Sequence, residues 1–259
     1  MDTLLDLPPH LRSRLAGALR TGVIEPPYSP PLLRSVLSTG QGLDAIRDAL
    51  VALDRQGVSA VAIAEMLKLM AKVEARAPRT DLVWSGPAVN GVHARSTRRV
   101  YEELLGSGER RVLASTYAFF DGPRAFEVLA TRMDAVPDLR VTLLLNIQRK
   151  RGDQAPADEL VRRFADRFWK YEWPGKARPS VYYDPRSLEL DGPAGVLHAK
   201  AVVVDEEAVF ITSANLTEAA LDSNVELGVL VRDRALAASV ATQFQVLIEQ
   251  KLLKPLPAT

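Results

Sequence analysis

The 259-residue chain has no cysteine and only three histidines, His10, His93 and His198. Without a thiol there is no disulfide, no thiolate nucleophile and no cysteine-ligated zinc or iron–sulfur site, so any nucleophile comes from another side chain. Aromatic residues are 6% of the chain and the formal net charge is +1, which leaves attraction to nucleic acid to a local patch rather than to overall charge. No apolar run approaches the roughly 20 residues that cross a bilayer. The opening "MDTLLDLPPHLRSRL" lacks a basic n-region, an h-region and a small-residue cleavage site, and no lipidation signal is present. A cytoplasmic protein with no membrane partner is expected.

What is present describes a globular protein: 47% of residues are hydrophobic and 25% charged. Residues 1–78 read as a helical region. Leu11, Leu15 and Leu19 recur every four residues, and Ser29 before Pro30-Pro31 looks like an N-cap with proline in the first turn. Leu43, Ile46, Leu50 and Leu53 mark the next helix, and Ile63, Met66, Leu67, Met70 and Val73 the one after. The joint "LDRQGVSAVAIAEML" has a helix-turn-helix outline. Its second helix opens with Ala60, Val61, Ala62, Ile63 and Ala64, which offer no polar groups to base edges, so packing helices are expected.

After "RAPRT" at 76–80 the pattern changes. Strands are expected near 111–118, 139–146, 180–184, 196–204, 207–213 and 225–232, with helices near 97–105, 123–134, 157–170 and 235–252. Continuous runs such as "VTLLLN" indicate strands buried on both faces, so residues 79–259 are expected to form an α/β domain, a mixed β-sheet flanked by helices.

The stretch that carries chemistry is "VLHAKAVVVDEEAVFITSANLTEAALDSNVELGVLV", from Val196 to Val231. Alternation along an extended strand puts His198 and Lys200 on one side. Asp205 follows in the "DEE" turn, then Thr212-Ser213-Ala214-Asn215, then Glu226 at the start of another valine-rich strand. This spacing resembles the phospholipase D superfamily signature H-x-K-x4-D-x6-G-S-x-N, with Thr212 in place of the glycine. Threonine there restricts the backbone and is expected to add no new chemistry.

The resemblance implies a phospholipase-D-like fold for 79–259 and a phosphodiesterase whose catalytic residues are His198, Lys200, Asp205, Ser213, Asn215 and Glu226. His198 would attack phosphorus as a neutral imidazole and form a covalent phosphohistidine. Lys200 and Asn215 would donate to the non-bridging oxygens, Glu226 would fix the imidazole tautomer, and Ser213 would hydrogen-bond near the site. Asp205, although part of the motif, reads as a cap on its turn rather than a participant. The scheme needs no metal or other cofactor.

Superfamily chemistry uses a second histidine as general acid, and neither His10 nor His93 has the context. His93-Ala94-Arg95 mimics His-x-Lys, yet no Asp or Ser-x-Asn follows it at the right distance. A homodimer sharing one site is therefore expected. For the substrate, Arg149, Lys150, Arg151, Arg162, Arg163 and Lys170 are interleaved with Trp169 and Trp173, the composition of a groove for single-stranded nucleic acid, DNA foremost. The plainer reading of the same segment is an amphipathic helix burying Leu160, Phe164 and Phe168. A phospholipid substrate and a non-catalytic nucleic-acid-binding subunit are the alternatives. The segments "LVWSGP", "RSTRRVYEELL" and "VLASTYAFFDG" further resemble the phospholipase-D-like components of the DISARM antiphage system, which implies other defence proteins as partners.

Overall fold

The structure is a computed structural model that describes residues 2–38, 42–75, 77–88, 91, 93–190 and 195–258; Arg76, the first residue of the "RAPRT" segment, lies outside them. Two compact units are present, Met1–Ala77 and Pro78–Thr259.

The first unit is helical: α1 Asp2–Leu5, α2 Pro9–Arg20, α3 Pro30–Leu37, α4 Leu43–Arg55 and α5 Ala60–Ala75. Its core takes Leu43, Ile46, Leu50 and Leu53 from α4, the row the sequence spacing marks. In α2 the inward row is Arg12, Leu15, Ala16 and Leu19, with Leu11 only half-buried. Arg12 tolerates burial because its guanidinium forks onto the Glu74 carboxylate of α5. Ser29 does stand before α3, but its side chain makes no cap; prolines at the first two helical positions offer no N–H to accept. In α5 the inward residues are Ile63, Ala64 and Leu67, while Met66 and Val73 face outward.

The second unit is built on a mixed sheet, nine-stranded among the described residues: β1 Arg79–Ser85, β2 Arg95–Ser96, β3 Arg111–Thr116, β4 Arg140–Leu145, β5 Ser180–Tyr183, β6 Ala201–Val204, β7 Ala208–Thr212, β8 Glu226–Arg232 and β9 Lys254–Pro255, in the spatial order β2-β1-β8-β7-β6-β3-β4-β5-β9. β3, β4 and β5 run parallel, and β6, β7 and β8 are antiparallel to their neighbours. The helices are α6 Thr97–Ser107, α7 Gly122–Ala135, α8 Ala157–Arg167 and α9 Arg234–Glu249. Alternate residues of each strand serve opposite cores. Val112, Ala114, Val202, Phe210 and Leu230 pack with residues of α6, α7 and α8, while Leu113, Val203, Val209 and Val231 pack with α9. Phe126, Phe168 and Phe210 are fully buried, each contributing about 2–3 kcal/mol of transfer free energy.

Three expectations are corrected. β1 was not anticipated: its alternating "RTDLVWS" is polar on paper, and its full-length antiparallel pairing with β8 holds it. The strand expected at 196–204 begins only at Ala201, so His198 and Lys200 sit just before the ladder. The helix expected to 170 ends at Arg167 and passes into a π-turn, Phe168–Glu172, closed by the Trp173 N–H donating to the Phe168 carbonyl (3.0 Å).

Candidate active site

β6 is antiparallel to β3, so the start of β6 lies beside the end of β3, with Ser115 opposite Ala201. The end of β7 and the start of β8 reach the same rim, Thr212 opposite Gly228. One end of the sheet thus gathers His198, Lys200, Thr212, Ser213 and Glu226, with Asn215 on the loop that follows β7.

His198 and Lys200 meet as the two-residue spacing suggests, by a different route. Off the ladder, the segment is held by Ser115 Oγ donating to the Ala199 carbonyl (2.8 Å) and the Thr212 N–H donating to the Lys200 carbonyl (3.1 Å). Lys200 curls back over its neighbour. Its Nζ donates to the His198 carbonyl at 2.8 Å and stands 3.1 Å from Nδ1 and 3.3 Å from Nε2 of the ring. His198 is exposed while Lys200 is buried, and that burial pushes the ammonium below the ordinary lysine range, with the Glu226 charge pulling the other way. An ammonium so placed can donate to whichever ring nitrogen carries the lone pair.

Asn215 uses Oδ1 to accept from the Ala118 N–H (3.2 Å), which leaves Nδ2 as the end able to donate to a ligand. Ser213 is committed to the protein: Oγ donates to the Glu226 carboxylate and accepts from the Leu227 N–H (3.1 Å). The other Glu226 oxygen accepts from Asn224 Nδ2 at 3.4 Å. Within one chain Glu226 makes no hydrogen bond to His198 among the described residues; its carboxylate is held by Ser213, and its reach toward Lys200 is electrostatic. Thr212 also does more than expected, its Oγ1 accepting from the Ala214 N–H at 3.0 Å.

Asp205 lies at the other end of β6, about 16 Å along an extended chain from Lys200. It occupies the β6–β7 turn with φ 53°, and its carboxylate accepts the backbone N–H groups of Glu109 (2.9 Å), Arg110 (2.8 Å) and Arg111 (2.7 Å). Burial works to raise its pKa, but these three donors and Arg110 outweigh it and hold the carboxyl below the usual range. Asp205 thus clamps the Glu109–Arg111 backbone at the end of β6 away from His198.

The basic, aromatic segment divides. Arg149 is consumed by the fold, donating to the carbonyls of Leu188 (2.9 and 2.7 Å), Asp153 (2.9 Å) and Ala155 (2.7 Å). Trp173 is buried with its Nε1 on the Ala177 carbonyl (2.8 Å), and Trp169 has its Nε1 on the Pro257 carbonyl (2.8 Å) with Arg178 covering the ring. Arg149 and Trp173 thus spend their polar groups on carbonyls of the domain, and the half-buried Trp169 ring has Arg178 over it. Phe168 is core, as the plainer reading holds. Arg162 and Arg163 are exposed with partners one turn back, Asp158 and Glu159; Lys170 rests over Tyr171, and Lys150 and Arg151 are exposed.

Residues 101–248 match the family described as "Cardiolipin synthase, PLD-like domain", a span of more than half the chain that holds His198 and every side chain gathered around it. The chain belongs to this phospholipase-D-like family. It is 25% identical to the DISARM protein DrmC of Bacillus paralicheniformis over 184 residues, 70% of this chain and 69% of that protein. Among solved structures it is similar to Nuc, a phospholipase D family member from Salmonella typhimurium, at 18% identity and a TM-score of 0.45, covering 70% of this chain and 100% of that one. NucT from Helicobacter pylori gives 18% and 0.44, covering 67% of this chain and 97% of its own. Phosphatidylserine synthase from Haemophilus influenzae gives 17% and 0.46, covering 76% and 47%.

Around this phospholipase-D-like motif stand residues that sequence spacing did not single out. Tyr117 packs against His198, ring centroids 4.8 Å apart, with Lys200 Nζ 5.6 Å from its centroid. Tyr101, buried with its hydroxyl pushed well above the usual value by desolvation, donates to the Ala214 carbonyl (3.0 Å) and steadies the Ser213–Asn215 loop. Thr116 Oγ1 accepts from the Leu216 N–H (3.2 Å) on the same loop. The signal available for Tyr117 was its place at the end of a buried strand, where parallel sheets present their sites.

Proposed function

We propose that this chain is a metal-independent phosphodiesterase that cleaves nucleic acid, DNA foremost, through a phosphohistidine at His198, in a site completed by a second copy of the chain. Residues 79–259 form its catalytic domain. The observation that carries the reading is one reactive imidazole, with Lys200 Nζ 3.1 Å from its Nδ1 and the Asn215 amide on the adjoining loop, where the chemistry calls for two imidazoles.

A ring nitrogen of His198 attacks phosphorus and the bond from phosphorus to the leaving oxygen breaks. Charge that builds on the non-bridging oxygens is met by Lys200 Nζ and Asn215 Nδ2, donors already in place. The imidazole of the second copy protonates the departing oxygen, then takes a proton from the water that opens the phosphorus–nitrogen bond and frees His198. Ser213 holds the Glu226 carboxylate, whose charge supports the Lys200 ammonium. The similarity to the DISARM protein DrmC supports a setting in cytoplasmic antiphage defence beside other defence proteins.

The test is turnover of single-stranded DNA and of bis(p-nitrophenyl) phosphate in EDTA, with anionic vesicles assayed beside them. His198→Ala should remain folded and lose activity by at least about 1,000-fold, and a brief incubation of the wild type with labelled substrate should trap an acid-labile phosphoprotein. Undiminished turnover in His198→Ala would overturn the assignment.

A further inference from the structure

The loop after β3, the end of β4 and one side of α8 enclose an open groove of about 550 Å³. Tyr117 is both a wall of this groove and the ring packed on His198, so a single side chain separates the groove from the imidazole. Three independent features of its lining agree. Lys150, Arg163 and Arg167 bring positive charge, against one acid, Asp153, whose Oδ1 is held by the Ala155 N–H at 2.9 Å. Phe120 is 72% exposed, a large ring left in water at the rim. Asn146 is only 8% exposed, and its Oδ1 has no hydrogen-bond partner among the described residues.

A buried amide oxygen without a partner costs stability, and at the wall of a groove it is compensated by a ligand that donates to it. An exposed ion pair such as Arg163 with Glu159 is weak, so its guanidinium exchanges readily onto a phosphate, and the Arg167 guanidinium, itself exposed, is open to a phosphate from the solvent side. A lipid tail would ask for a channel free of charge, whereas three cations stand among the rings and aliphatic side chains of this lining. We propose that the groove seats the polynucleotide strand beside the scissile phosphate: Lys150, Arg163 and Arg167 take backbone phosphates, Phe120 stacks a base, and Asn146 hydrogen-bonds a base or sugar edge. The inference rests on the phosphodiesterase reading for its substrate class and adds the track and the residues that choose among bases.

The experiment is fluorescence anisotropy of a labelled twelve-nucleotide single strand in EDTA across a salt series, with bis(p-nitrophenyl) phosphate turnover measured in parallel. Lys150→Ala, Arg163→Ala and Arg167→Ala should each weaken binding several-fold and lower the slope of log affinity against log salt by about 0.7. Phe120→Ala should weaken it by about 5- to 100-fold. Asn146→Ala should flatten the preference among dT, dA and dC oligomers. Arg234→Ala, on α9 and paired with Glu207 outside the groove, is the control and should bind like the wild type. Turnover of the small chromogenic diester, which needs only the groups around His198, should fall far less in these variants than strand binding does. Wild-type affinity in the groove variants would overturn the inference, and so would loss of vesicle binding in place of strand binding. Groove-dependent strand binding without turnover of any diester would sustain the inference while removing the catalytic reading.

Discussion

Thr212 and Gly228 stand directly opposite one another on β7 and β8, and the glycine supplies the room that the threonine takes. A Cβ at position 228 would lie 2.6 Å from the Phe210 ring, 2.9 Å from Thr212 Cβ and 3.0 Å from the Ile211 carbonyl. Thr212 fills the place where the phospholipase D signature has glycine, and here the small residue sits across the ladder instead.

Gly228→Ala should therefore destabilise the protein by about 1–3 kcal/mol, since the strand cannot retreat from a fully buried ring. Adding Thr212→Gly should recover only part of the loss, because the Phe210 contact remains. Urea unfolding of the single and double variants measures both quantities.

Glu226 and Lys200 predict a pH effect. Burial lowers the Lys200 pKa and the Glu226 charge opposes that, so Glu226→Gln should lower it further. The ammonium is needed protonated, and the alkaline limb of the rate profile should move to lower pH in this variant. Ser213→Ala, which frees the carboxylate from its bridge without removing its charge, should reduce kcat by about 10- to 100-fold while moving that limb less. A profile unmoved by Glu226→Gln would sever the link between the two groups.

Asp205 predicts a separate dependence on acid. Its folded pKa is depressed, so the stability it contributes is fully present above the unfolded value near 3.8 and is lost as the pH falls through the folded one. Asp205→Asn should cost about 2 kcal/mol at pH 7, and the gap from the wild type should shrink below pH 4. Activity per folded molecule should be unchanged, because the clamp is remote from His198. Melting temperatures across pH 2–7 test this.

The proposed sharing of one site by two copies predicts a mixing result. When wild type is refolded with an excess of His198→Ala, every mixed pair lacks one imidazole, and activity should follow the square of the wild-type fraction. Linear dilution would show that each chain works alone.

The elements read most clearly from sequence were those with a single burial pattern. Strands β3, β4, β6 and β7 are continuous apolar runs because both faces are covered, and α4 has one clean inward row. β1 was hidden because it lies toward the edge of the sheet, with Leu82 exposed and Asp81 engaged by Arg95 and Arg232. Of the site, the spacing gave His198, Lys200, Ser213 and Asn215 at one rim, since residues fixed by one hairpin are near in sequence. Tyr117 and Asn146 directly follow β3 and β4, and only the parallel pairing of those strands carries them there. Composition misled at Arg149 and Trp173: a local excess of cations and rings does not reveal which are already satisfied by neighbouring carbonyls.

Asp205 and His198 flank a strand of four residues, Ala201–Val204, whose ladder to β3 lies between them. Durability and speed can accordingly drift apart over evolutionary time: substitutions around the far turn would alter how long a molecule survives heat or acid, and substitutions at the near rim how fast it works, with little crosstalk along the ribbon that joins them.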